Sequence, residues 1–121
     1  MDKLIFIVDD TDSVLTLSAS ILEDEYRVLT MSSAEKMFSI LEKKQPDMII
    51  LDIEMPEING FEALIRLKEN PDRKNIPVLF LTGYIDEEIQ SRVAELGATG
   101  VLNKTEISTG LLDRVRVSFD I

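Results

Sequence analysis

Short unbroken apolar runs alternate along this chain with stretches in which apolar residues recur at helical spacing. Leu4–Val8 (LIFIV) reads as a first strand and Tyr26–Thr30 as a short second one. Met48–Leu51 is a third strand ending at Asp52, Val78–Leu81 a fourth ending at Thr82, and Val101–Leu102 a short fifth ending near Lys104. Between them lie helical patterns. Val14, Leu17, Ser18, Ile21 and Leu22 predict a first helix, with Asp12 or Thr11 as its N-cap. Ala34, Met37, Phe38 and Leu41 predict a second, with Pro46 in the connection after it. Gly60 opens a third helix with Phe61, Leu64 and Ile65 inward, which stops before Asn70 and Pro71. Ile85, Ile89 and Val93 predict a fourth, mostly core-facing and closed by Gly97. Leu111, Leu112, Val115 and Phe119 give the last.

The strands are continuous apolar runs, as expected where helices cover both faces of a sheet. The pattern therefore predicts an α/β protein with a doubly wound parallel sheet. In such sheets the ligand crevice lies outside the carboxyl ends of the strands, at the switch point. Asp9, Asp10, Asp52, Thr82 and Lys104 all fall at carboxyl ends of predicted strands. The periodicity alone gathers three carboxylates, a hydroxyl and an ammonium at one end of the sheet.

Those acids pose a physical problem, since an unpaired buried charge is costly. A cation must join them or they must sit in water. With oxygen ligands alone, the fitting cation is a hard one, and Mg²⁺, which takes a few carboxylates and keeps several waters, is the natural choice. A metal at the Asp9–Asp10 pair leaves Asp52 free to attack an electrophile and form an aspartyl phosphate. The developing phosphoryl charge needs the metal, a cation such as Lys104 and a donor such as Thr82. Each residue alone has a plainer reading: a solvated turn or cap for the acid pair and Thr82, a surface charge for Lys104. Their joint occurrence at four strand ends favours a site.

Composition narrows the classes. At 121 residues the chain fits one domain, 1–121, and an apolar content of 45% suffices for a core. No apolar run is long enough to span a bilayer, and the N-terminus lacks a secretory pattern, so no membrane role and a cytoplasmic location are expected. A net charge of −10 argues against direct nucleic-acid binding. The absence of cysteine and histidine removes disulfides, thiolate chemistry, imidazole catalysis and a phosphohistidine carrier role. An EF-hand is excluded, because the position five after Asp10 is Leu15 rather than Gly.

The segment LDIEMPEINGFE, residues 51–62, resembles a family pattern of a strand-terminal Asp followed by x-x-Met-Pro-x-x-x-Gly. With it stand the VDD of strand one, the FLT of strand four and the LGATGVLNK approach to Lys104. Over essentially its whole length the chain resembles the receiver domain of two-component response regulators, of the chemotaxis-regulator kind. The resemblance implies a flavodoxin-like sheet of five parallel strands in the order 2-1-3-4-5 with five helices. It implies Asp52 as the phosphoacceptor, Asp10 as a direct Mg²⁺ ligand and Asp9 as an acid acting on the metal through water. The backbone carbonyl of Glu54 is the implied third protein contact to the metal. Thr82 and Lys104 match the hydroxyl and lysine that meet the phosphoryl group. The implied donor is a separate sensor histidine kinase or phosphotransfer protein. The product is a signal passed by altered contact with a downstream protein partner, not a turnover enzyme's product. The face expected to carry it is built from helix four, strand five and helix five. Because the chain ends after the fifth helix, no output domain is expected within it.

Two positions depart from the family pattern. Val101 stands where an aromatic switch residue is usual, and Thr105 follows the lysine where a proline with a cis bond is usual. A non-proline cis bond costs about 2.5–4 kcal/mol, so the expectation is a trans Lys104–Thr105 bond, or a strained cis one kept for function. A trans bond threatens to displace Lys104. Tyr84, two residues after Thr82, is a candidate to take over part of the switch role, or else lines the rim with Glu54 and sets phosphoryl lifetime. Two other functions stand beside this one. One is a pseudo-receiver that binds a partner without phosphorylation. The other is a haloacid-dehalogenase-type phosphatase using Asp10, to which the segment Asp10–Val14 also fits; the short chain and the lack of a second acidic pair after a late strand count against it.

Overall fold

A computed structural model describes residues 2–120. Five parallel strands form one sheet in the order β2-β1-β3-β4-β5. They are β1 (Leu4–Val8), β2 (Arg27–Met31), β3 (Met48–Asp52), β4 (Val78–Thr82) and β5 (Gly100–Asn103). The helices are α1 (Asp12–Leu22), α2 (Ala34–Leu41), α3 (Gly60–Glu69), α4 (Glu87–Glu95) and α5 (Ile107–Asp120), with a 3₁₀ turn at Lys104–Glu106. The expected fold class is observed, with helices on both faces. Strands β2 and β5 each lie one residue or so from their expected limits, since side-chain pattern does not mark where a ladder ends.

Alternate residues of each central strand feed two separate cores. Phe6, Val8, Ile49, Leu51 and Phe80 pack against α2, α3 and α4 on one face. Ile5, Ile7, Ile50, Leu79 and Leu81 pack against α1 and α5 on the other. All residues of β1, β3 and β4 are buried, whereas the edge strand β2 is half open to solvent. This is why the central strands read as continuous apolar runs.

Three helical faces differ from expectation. In α1 the buried residues are Leu15, Ser18 and Leu22, while Leu17 is exposed. In α3 they are Gly60, Ala63, Leu64 and Leu67, and Ile65 points to solvent. In α4 only Val93 is buried, and Ile85 lies outside the helix, which begins after an Asp86 N-cap. Each short helix presents one narrow stripe to the sheet, so an apolar residue one step off that stripe stays wet. Gly97, with φ +72°, closes α4 as expected.

The connection from β3 to α3 is the most tightly built. Asn59 and Glu62 form a capping box, each side chain bonded to the other's backbone N–H. The Gly60 N–H donates to the Ile53 carbonyl at 2.8 Å. A Cβ at Gly60 would collide with the Asp52 carbonyl oxygen and lie 2.9 Å from the Ile53 Cα. Only glycine lets α3 start this close beneath the end of β3.

Candidate functional site

The strand order reverses between β1 and β3, and their carboxyl ends form the crevice. Asp9 follows β1, Asp52 ends β3, Thr82 ends β4 and Lys104 follows β5. The structure brings all four together. Asp9, Asp52 and Thr82 are buried, with exposures of 0%, 1% and 0%. Asp10 is exposed, yet a carboxylate oxygen from each of Asp9, Asp10 and Asp52 falls within one 4.8 Å cluster.

Local backbone aims each acid. Asp9 Oδ1 accepts the Thr11 N–H at 2.8 Å and Asp52 Oδ1 accepts the Glu54 N–H at 3.2 Å. Lys104 Nζ lies 3.0 Å from Asp9 Oδ2 and 3.2 Å from Asp52 Oδ1. Its side chain is 24% exposed, so the ammonium closes the crevice from above. The Thr82 hydroxyl faces Glu54 Oε1 at 3.2 Å and the Tyr84 carbonyl at 3.0 Å. Glu54 thus enters the site through its N–H and its side chain. Tyr84 enters through its carbonyl, with its residue surface 58% exposed.

The electrostatics follow from burial. Desolvation and the nearby Asp9 push the Asp52 carboxyl up to about 6, against the pull of Lys104 and the Glu54 N–H. Burial works against the Lys104 ammonium, but its contacts with Asp9 and the charge of Asp52 outweigh that and hold its pKa above the usual lysine value. One cation therefore serves two buried carboxyl groups.

The residues present fit a hard cation. Asp52 Oδ2 is buried and accepts no hydrogen bond; Asp9 Oδ2 accepts none either, meeting only the ammonium as an ion pair. Exposed Asp10 completes an all-oxygen donor set open to water, the kind that Mg²⁺ takes.

The Lys104–Thr105 bond is trans, as expected; no cis bond occurs among the described residues. Lys104 is nevertheless not displaced. Beside it stands Asn103, a residue that the strand and helix pattern does not single out. Its Oδ1 accepts from both the Thr105 N–H and the Thr105 hydroxyl at 2.9 Å. An Asn two residues before a Thr at a strand's end is the readable signal for such a turn.

The model of the response regulator receiver domain family matches residues 5–116. The chain belongs to that family. It is 36% identical over 100 residues to a probable cyclic di-GMP phosphodiesterase of Vibrio cholerae, covering 83% of this chain and 23% of that protein. The receiver thus spans about a quarter of that curated relative's length. Among solved structures, the BeF3-activated DrrB receiver domain aligns at a TM-score of 0.89 and 26% identity, covering 100% of both chains. The chemotaxis protein CheY4 of Vibrio cholerae aligns at 0.82 and 30% identity, covering 93% of this chain and 98% of that one. Receiver membership sets aside the phosphatase reading, and in the structure the Asp10 that it would use is exposed rather than held by the lysine. Among the described residues no helix is long and apolar enough to cross a membrane.

Proposed function

We propose that the chain, 1–121 as one receiver domain, is a phosphoacceptor switch that takes a phosphoryl group onto Asp52. The observation that carries this reading is the Lys104 ammonium held 3.2 Å from the buried Asp52 carboxylate. An Asp52 oxygen forms the new bond to phosphorus. The phosphorus–nitrogen bond of a donor phosphohistidine breaks, and its electron pair leaves with the imidazole. The donor is a sensor histidine kinase or phosphotransfer protein. Asp9, Asp10, Asp52 and the backbone carbonyl of Glu54 are the groups that would hold Mg²⁺. When bound, the ion supplies the positive charge that offsets the acids and the incoming phosphoryl oxygens.

The chain's own residues do the rest. Burial excludes competing water from Asp52. Lys104 leaves Asp9 to meet a phosphoryl oxygen, and the Thr82 hydroxyl turns from Glu54 and Tyr84 to donate to another. Those two movements change contacts on β4 and β5, and a downstream protein partner that prefers the changed packing is recruited by population shift. Neither direct nucleic-acid contact nor membrane association enters this reading, and the location is cytoplasmic.

The test is intact mass after incubation with Mg²⁺ and acetyl phosphate, with Asp52→Asn as control. A gain of one phosphoryl group that needs both Mg²⁺ and Asp52 supports the switch. Mg²⁺ binding with no gain from acetyl phosphate or a phosphorylated phosphotransfer protein would leave a pseudo-receiver.

A further inference from the structure

Lys104 reaches Asp52 and Asp9, yet its strand lies two places from β3 and three from β1. At about 4.8 Å between neighbouring strands, β3 is roughly 10 Å away. The extended lysine stem, the ion-pair contact and the Asp52 side chain together span that gap only when the stem is aimed across β4. The direction in which the backbone leaves β5 at Lys104 therefore sets where the ammonium lands.

Asn103 stands where that happens. It is the last residue of β5, in register with Thr82, and is still extended at φ −72°, ψ 136°. Its side-chain oxygen reaches past Lys104 to accept both the backbone N–H and the hydroxyl of Thr105. The Lys104 carbonyl in turn accepts the N–H of Ile107, which is buried at the start of α5. Lys104 is thereby clamped between the β4 ladder on one side and the α5 anchor on the other. A proline at 105 would supply neither donor; threonine supplies both.

We propose that Asn103 and Thr105 are a positioning pair that aims Lys104 at Asp52. The pair acts through Lys104 and touches neither acid. Its effect on phosphorylation rests on the phosphoacceptor reading; its effect on the place of Lys104 does not.

The experiment compares Asn103→Ala, Asn103→Ser and Thr105→Val with the wild-type chain. Mg²⁺ affinity is measured by calorimetry and phosphoryl uptake from acetyl phosphate by mass. The environment of the Lys104 ammonium is followed by NMR of ¹⁵N-lysine protein without metal. Asn103→Ala should slow uptake about ten- to a hundredfold, the scale set by misplacing a catalytic group by about 1 Å. It should also shift the Lys104 signal away from its carboxylate-paired position and raise Mg²⁺ affinity, because a misplaced ammonium competes less for the Asp9 and Asp52 oxygens. Asn103→Ser, which restores a capping oxygen, should recover most of both readouts. Thr105→Val keeps the N–H and loses the hydroxyl, so it gives a smaller shift in the same direction and serves if Asn103→Ala does not fold. A lower melting temperature with uptake and Lys104 signal unchanged would overturn the proposal. If the wild-type chain takes no phosphoryl group, the phosphoacceptor reading fails, and the Lys104 signal alone decides whether Asn103 positions the lysine.

Discussion

Asp52 and Lys104 are paired at 3.2 Å although β4 lies between the strands that carry them. The contact spans the mouth of the crevice and makes the lysine the counter-ion of two buried acids. Everything proposed for the site depends on that bridge.

Replacing the lysine tests it. Lys104→Met keeps the stem's bulk but leaves Asp9 and Asp52 facing each other without a cation. Breaking a fully buried pair costs about 3–5 kcal/mol; with the ammonium partly exposed, a loss of about 2 kcal/mol is expected for the metal-free protein at pH 7.5. Urea unfolding measures it. Added Mg²⁺ should restore more stability to this variant than to the wild type, because no ammonium then competes for the carboxylates.

The raised Asp52 pKa makes stability depend on pH in an unusual direction. The folded carboxyl titrates near 6, against an ordinary value of 3.8, so between those values the folded state binds more protons. Its contribution is complete below about pH 4 and is lost as the pH rises through 6. A gap of about two units corresponds to roughly 3 kcal/mol. Without metal, Asp52→Asn should therefore gain stability over the wild type as the pH rises from 4 to 8. Parallel curves for the two proteins would mean that Asp52 is not strained by burial. Protons compete for the same oxygens, so Mg²⁺ should stabilise the wild type at pH 8 and much less at pH 5.

Gly60→Ala examines the scaffold rather than the chemistry. The added methyl meets the Asp52 carbonyl oxygen and the Ile53 Cα. Thermal unfolding should show a loss of about 1–3 kcal/mol, the usual cost of overpacking. Phosphoryl uptake should slow as well, because the strained backbone is that of Asp52 itself.

Thr82→Val examines chemistry with the scaffold kept. The shape is nearly preserved and only the hydroxyl is lost. Uptake should fall about a hundred- to a thousandfold, the order seen for removal of one preorganised donor. A change in melting point without a change in rate would assign Thr82 to structure alone.

The site was legible in the sequence to the extent that period and strand ends are. Asp52 and Thr82 are strand-terminal residues after runs of buried β-branched and aromatic side chains, and parallel topology puts such ends together. Gly60 is readable too, as the glycine opening α3. Leu17 and Ile65 were misplaced, because helical spacing marks a face but not its centre when the helix is only two or three turns long. Val101 and Thr105 are visible as departures from a family pattern. The turn around Thr105 is not, because it is closed by the Asn103 side chain, a hydrogen bond rather than a matter of hydropathy.

The sequence by itself determined the elements, a doubly wound parallel sheet and the gathering of Asp9, Asp10, Asp52, Thr82 and Lys104 at one end of it. Those follow from local period and chain direction. Only the tertiary structure decided which acids are buried, that one ammonium bridges Asp9 and Asp52, that Thr82 is engaged by Glu54, and that a trans backbone still delivers Lys104. Those depend on ångström-scale distances between residues far apart in the chain, set by sheet spacing and by single turns that no periodicity encodes.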